Sequence, residues 1–420
     1  MAARPGVAPD RPLLLLVASG MRTYREYLLR SISTRFRVHL FHVAEPTWEK
    51  EFLSGWTVLP STTDGPALAE AGLRLRGQER VDGVLCWDEG RIHATAYLAE
   101  ALGLPNGDPA VIWRLRDKAQ TRMALDAAGI AQPRSVPVRT LRQALAGADR
   151  VGYPAVLKPR GLGASLGVVI VRDAEELTRH FPFTRDTKAP DPVVYASDCP
   201  ILVEECVQGT EISIDSVVQD GKVAPLFVAR KVVGYRPYAE EVGHYVDAGD
   251  PLLHDPELGE AIQATHAALG FQDGCTHTEF MLTGSGPKLI EVNGRLGGDL
   301  IPYLGLLATG IDPGLAAANA ACGRPPDIAP SWSRAAGIRF FYVQEEDSTI
   351  RTIRFNEAAL PPAIDRAATV LGPGAVVSPP PKGTVWGRIA YATAVGGSIE
   401  ECRGALDAAE SALEVEVTRT

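Results

Sequence analysis

His277-Thr-Glu279-Phe-Met-Leu-Thr-Gly-Ser-Gly-Pro-Lys-Leu-Ile-Glu291-Val-Asn293-Gly-Arg295 is the stretch on which the reading of this chain turns. Two alternating runs flank Thr283-Gly-Ser-Gly-Pro287, a turn centred on Ser285. Folding the segment about that turn sets Glu279 opposite Glu291 and His277 opposite Asn293 on antiparallel strands. Because side chains alternate between faces, Glu291, Asn293 and Arg295 are expected on one face, with Ile290 and Val292 on the other, in the core. Two carboxylates directly opposite each other repel, so the pattern fits a cation held between them better than a solvated polar face. Oxygen ligands from Glu279, Glu291 and Asn293 suit a hard ion such as Mg²⁺, with positions left for water and a substrate phosphate.

Working outward, Lys158-Pro-Arg-Gly-Leu-Gly-Ala-Ser-Leu-Gly167 joins two strand-like runs, Ala155–Lys158 and Val168–Val171. Its glycines, Gly163 among them, and Ser165 let backbone N–H groups approach a polyphosphate without side-chain obstruction. A plain hairpin connection is the alternative if the loop is taken alone. No Gly-Lys-Ser/Thr precedes a helix, and Leu166 breaks the G-x-G-x-x-G pattern, so neither a Walker loop nor a dinucleotide fingerprint is present. A helix from Lys118 to Ala128 lies upstream. Downstream come a helix (Ala174 to His180), a connection with Pro190 and Pro192, and strands at Ile201–Glu205, Glu211–Val218 and Val223–Ala229.

Nearer the N-terminus, the apolar run Pro12–Ala18, a helix over Tyr24–Ile32 and a strand over Arg37–Val43 make a βαβ opening. With the strand Asp82–Trp87 and the helix Ile92–Leu102, residues 1–115 read as an open α/β domain. At the other end, a strand over Gly387–Ala394 and a capping box of Ser398 and Glu401 opening a last helix give an α+β tail from about residue 330.

Composition narrows the function classes. The 42 Lys+Arg against 51 Asp+Glu give a net charge of −9, which argues against nucleic-acid binding. The early apolar run is too short to span a bilayer, and Asp10 and Arg11 before it are unusual for an export signal, so a soluble, cytoplasmic protein without membrane partners is expected. Six scattered cysteines without a C-x-x-C pair signal neither a zinc site nor a disulfide framework.

Four separated motifs occur in order: Arg116-Asp-Lys118, Lys158 before the glycine flap, Val203-Glu204-Glu205-Cys206-Val207-x-Gly-x-Glu211, and Glu279…Glu291-x-Asn293-x-Arg295. Together they strongly resemble the ATP-grasp ligases, over about residues 12–325. The resemblance implies an α/β (α+β) ATP-grasp fold with an N-terminal open α/β domain at 1–115 and a core at 116–330, including a nucleotide-binding lid at about 150–210. A C-terminal metal-binding lobe is also implied, with an α+β lobe at 331–420. It implies ATP and Mg²⁺, with Mn²⁺ able to substitute. Lys118 and Lys158 correspond to phosphate-binding lysines, with Gly163 and Ser165 in the flap. Glu204, Glu205 and the backbone of Cys206 and Val207 line the adenine pocket, Glu211 holds the ribose, Glu279, Glu291 and Asn293 are metal ligands, and Arg295 is the catalytic arginine.

After Arg295 the chain reads Leu-Gly-Gly-Asp299, without the Gln-Val-Glu-His of biotin carboxylases or the Ser-Pro-Gly-type loop of D-alanine:D-alanine ligases. With Glu241-x-Gly-His244 upstream, it is similar to the L-amino acid ligases, in which a histidine of that segment lies at the substrate site, here His244. The reaction implied is ATP-dependent amide formation between amino acids or amines through an acyl phosphate, by a homodimer. His277 reads equally as a support for Glu279 or as a packed polar residue. Asn106, Glu89 and Asp299 are candidates for the pocket walls. A ligase or carboxylase acting on a different substrate and a phosphotransferase stay as alternatives, although no Asp-Phe-Gly of protein kinases is present. A non-catalytic nucleotide sensor is the remaining one, and the metal pair and Arg295 argue against it.

Overall fold

The computed structural model describes residues 11–106, 108–188 and 200–419. Pro190, Pro192 and Cys199 lie outside them. Among the described residues, four β-sheets organise the chain. The N-terminal sheet is parallel, in the order Gly55–Val58, Arg37–His42, Leu13–Val17, Gly83–Leu85. Its first strand is apolar at every position because both faces are covered. Leu14 and Leu16 pack into one hydrophobic cluster with Leu28 and Phe227, while Leu13, Leu15 and Val17 pack into another with Leu68 and Leu98. Phe227 belongs to the central sheet, so one continuous core ties the N-terminal sheet to it.

The strand Gly55–Val58 and the helices Gly65–Arg76 and Pro109–Arg116 complete this region. None of the three is among the elements read from the sequence above. Asp117 ends the helix Pro109–Arg116 and caps Lys118–Ala127, accepting from the amides of Ala119 and Gln120. Lys118 is thereby fixed in the first turn.

The eight-stranded central sheet runs Gly286–Asn293, Gly274–Thr283, Thr210–Gln219, Lys222–Gly234, Glu240–Asp247, Ala335–Tyr342, Arg388–Gly396, Ile364–Thr369. Three of its strands come from beyond residue 330, so the C-terminal segment extends this sheet. A three-stranded sheet, Val376–Val377, Ser348–Phe355 and Leu413–Arg419, stands beside it. The fourth sheet is antiparallel, in the order Ser135–Val138, Ile201–Glu205, Ala155–Pro159, Val169–Val171. It carries the glycine loop and draws in a strand from ahead of residue 150.

The hairpin pairs His277 with Asn293 and Glu279 with Glu291, the expected register. Between Glu279 and Phe280 the register shifts, so that Phe280 faces Leu289 and the turn closes with Thr283 opposite Gly286, centred between Gly284 and Ser285. This corrects the reading of Ile290. The shift leaves it unpaired in the ladder, and it lines the cleft, while Leu289 and Val292 are buried. Ser398 caps the helix Ile399–Ala412 as expected, but the Glu401 carboxylate accepts from Gly397 N instead of closing the box on Ser398. Among the described residues no helix is long and apolar enough to cross a membrane.

Candidate active site

A cleft of about 540 Å³ opens between the lid sheet and the central sheet. It is lined by Lys118, Lys158, Gly163, Ser165, Glu204, Glu205, Cys206, Val207, Glu211, Glu279, Glu291, Asn293 and Arg295. Residues far apart in the chain, from Lys118 to Arg295, meet here because the lid strand Ala155–Pro159 and the hairpin face each other across it.

On the lid side, Glu204 is buried and its carboxylate is fully engaged. Arg122 Nε and Nη2 lie 2.8 and 3.2 Å from its two oxygens, and Lys158 Nζ is 2.5 Å from Oε2. Burial works against its charge, yet the two cations hold its pKa down at about 2. Burial in turn lowers the pKa of Lys158, against the pull of Glu204. The side chain of Glu204 thus fixes Lys158. The Cys206 amide donates to Pro154 O at 3.3 Å, and the Cys206 carbonyl accepts from Gln208 Nε2 at 3.3 Å. Glu205 lies 3.2 Å from Arg134 Nε and 3.5 Å from Lys288 Nζ.

In the glycine loop, Ala164 and Ser165 carry left-handed φ values of 54°. A Cβ added at Gly163 would meet nothing within 4 Å. Packing therefore does not demand glycine there, whereas a bare backbone suits close approach by a ligand.

The hairpin side is organised by a residue the sequence reading passed over. The Lys231 side chain is 2% exposed, and its Nζ lies 2.9 Å from carboxylate oxygens of Glu211, Glu241 and Glu279. Burial opposes the ammonium charge, but the three carboxylates raise its pKa well above the ordinary value. Burial also opposes the charge of Glu279; Lys231 and His277 nevertheless hold its pKa well below the usual carboxylate range. Glu291 is 3.1 Å from Lys118 Nζ, which also donates to Leu162 O at 2.5 Å. His277 Nδ1 is 2.6 Å from Asp215 Oδ1 and Nε2 is 3.4 Å from Glu279. Asp215 also accepts from Gly297 N at 2.9 Å. His277 therefore links Glu279 to the backbone beyond Arg295.

At the far end, Arg295 Nε is 2.5 Å from Glu89, whose other oxygen is taken by Arg116. Burial disfavours the Glu89 carboxylate, but these guanidiniums keep its pKa at about 2. Asp299 lines the cleft and is held bidentately by Arg388, at 2.6 and 2.8 Å. Asn106 does not reach this site. Its side chain sits where a Cβ on Gly274 would be, 2.6 Å from Oδ1. His244 lies in the strand Glu240–Asp247, fully buried behind the cleft wall, with Nε2 3.3 Å from Glu241 and 3.6 Å from Asp299.

Arg122 and Lys231 left faint traces in the sequence. Arg122 follows Lys118 by one helical turn, the spacing of a shared face. Lys231 lay past Ala229, where the strand was read as ending; it runs on to Gly234.

Comparison with known proteins identifies the architecture. Residues 151–302 match the family described as the ATP-grasp domain, and the chain carries that domain, as its motifs indicated. It is 29% identical to carnosine synthase 1 of Homo sapiens over 277 residues, 63% of this chain and 33% of that one. Over 233 residues, 50% of this chain and 47% of the relative, it is 29% identical to alanine–anticapsin ligase of Bacillus subtilis. The chain thus spans less than half the length of these two curated relatives. The crystal structure of an L-amino acid ligase from Bacillus licheniformis has the same fold, with a TM-score of 0.78 over 97% of this chain and 99% of that one at 23% identity.

Proposed function

We propose that the protein is an ATP-dependent carboxylate–amine ligase that joins two amino acids through an acyl phosphate, releasing ADP and phosphate. The observation that carries this is the hairpin register. It sets Glu279 against Glu291 and His277 against Asn293, with Arg295 two residues on and two cleft-lining lysines across from them.

The donor set fits Mg²⁺: two carboxylates and an amide offer only oxygen, and the carboxylates are already faced by cations, Lys231 and Lys118. Bound there, the ion would neutralise phosphate charge as the γ-phosphoryl group moves. Lys118 and Lys158 bind the phosphate chain, with Lys158 oriented by Glu204 and Arg122. Glu211, and the Cys206 and Val207 backbone, take the ribose and adenine. Arg295, aimed by Glu89, stabilises the acyl phosphate and the oxyanion that forms when the amine attacks. The glycine loop excludes water from an intermediate that hydrolysis would destroy. His244 acts on the substrate indirectly, by holding Glu241 and Asp299 in the cleft wall.

The test follows an oxygen atom. A substrate labelled with ¹⁸O in its carboxylate should deliver one label to inorganic phosphate when the amide forms. Label in AMP, with pyrophosphate released, would mean adenylation and refute the assignment. Phosphate release that requires both acceptors separates a ligase from a phosphotransferase.

A further inference from the structure

Most arginines around the cleft are paired: Arg122 with Glu204, Arg116 and Arg295 with Glu89, Arg388 with Asp299. The cleft-lining Arg236 and, close to Arg295, Arg25 are exceptions among the described residues. The Arg25 guanidinium is half-buried and donates to Gly297 O at 3.3 Å, and it forms no ion pair with any described residue. Burial weighs against its charge and nearby Arg295 adds repulsion, while Tyr27, Asp88 and Asp299 act in the other direction. A half-buried guanidinium with no carboxylate within ion-pair distance is costly, and a fold that retains one departs from its own pattern at a place where function is expected.

The location sharpens this. Arg25 stands in the first turn of the helix Arg22–Arg35, which has no acidic residue there and no side-chain cap. A helix start favours negative charge, so two arginines in that turn run against the dipole. Arg22 is answered by Glu26 at 2.7 Å; Arg25 has no such answer. The helix follows the carboxyl end of the parallel strand Leu13–Val17, the side on which such sheets receive ligands. Gly297, the contact of Arg25, lies between Arg295 and the cleft-lining Gly298 and Asp299.

The geometry points to Arg25 as a specificity determinant that receives the carboxylate of the amine-bearing substrate, so that the acceptor is an amino acid with a free carboxylate and not a simple amine. This rests on the ligase reading above. The carboxylate being activated has its own cationic partner in Arg295 beside the metal ligands. Arg25, bonded to Gly297 O, suits a second anion. The acidic side chains of Glu241 and Asp299 line the cleft, where an ammonium would be drawn.

The test begins with a mass-spectrometric screen of amino acid pairs for condensation. The amine partner of the productive pair is then compared with its own α-amide and its decarboxylated amine, for wild type, Arg25→Met and Arg25→Lys. Loss of a charge-assisted pair predicts that Arg25→Met lowers kcat/KM for the free amino acid roughly tenfold or more. The amide and the amine should be used as wild type uses them, with KM for ATP unchanged. Arg25→Lys should recover part of the discrimination. An equal loss on all three acceptors, or a wild type indifferent to the acceptor carboxylate, would overturn the assignment. So would a loss confined to donors that bear a second carboxylate. Wild type that condenses no pair refutes the ligase reading itself, a distinct result.

Discussion

Replacing Glu204 with Gln isolates the electrostatics of the lid side. The carboxylate is 2% exposed and lies between the Arg122 guanidinium and the Lys158 ammonium, at 2.8 and 2.5 Å. Glutamine keeps the shape but leaves two buried cations facing each other. The folded-state pKa of about 2, against 4.5 for an unperturbed glutamate, sets the scale. A depression of that size is worth about 3 kcal/mol at pH 7. Breaking buried pairs by removing one partner costs about 3–5 kcal/mol, which agrees. Because the folded pKa is depressed, this stability is fully present above the unfolded value. It is lost as pH falls toward about 2. By pH 3.5, roughly a third or more of the advantage should be gone. Urea titrations of wild type and Glu204→Gln at pH 7 and 3.5 read both quantities. The variant should also show a raised KM for ATP, because Lys158 loses its anchor. Equal stability at pH 7, or a gap that does not narrow on acidification, would refute the reasoning.

Other substitutions probe the remaining parts. Glu291→Ala should abolish turnover, and because it also leaves Lys118 without its carboxylate partner a modest loss of stability is expected beside it; wild-type activity that persists in excess EDTA would dismiss the metal assignment. Glu211→Ala should raise KM for ATP roughly ten- to hundredfold with the amino acid constants little changed, because one charge-assisted hydrogen bond is lost on one substrate. His244→Ala should impair amino acid use while ATP affinity stays near normal, whereas a change in ATP affinity alone would dismiss its role behind Glu241 and Asp299. For His277, burial opposes protonation, but Asp215 and Glu279 raise its pKa to about 9. Its contribution to stability is therefore present below the ordinary histidine value and lost as pH rises through about 9. Metal-free unfolding curves of wild type and His277→Gln should converge over that range, and curves that stay parallel would contradict it.

Amino-acid order alone determined what depends on neighbours a few residues apart. The Gly-Ser-Gly turn and the two-residue period around it fixed Glu279 against Glu291, since cross-strand pairing in a hairpin follows from alternation and the position of the turn. The polar spacing of the Glu204 strand and the glycine loop was legible for the same reason. Tertiary packing decided what depends on distant elements meeting. The register shift beside Phe280 turned Ile290 toward the cleft, a choice between hairpin alignments that local alternation leaves open. Lys231 looked like the end of a strand until Thr210–Gln219, Glu240–Asp247 and the hairpin brought three carboxylates to it. Arg122 reaches Glu204 across 82 positions and Arg25 reaches Gly297 across 272. Charges so far apart in the chain have no spacing rule. Whether each becomes a pair, an anchor or an unanswered cation is settled only when the hydrophobic cores, by burying their surfaces, fix the distances between them.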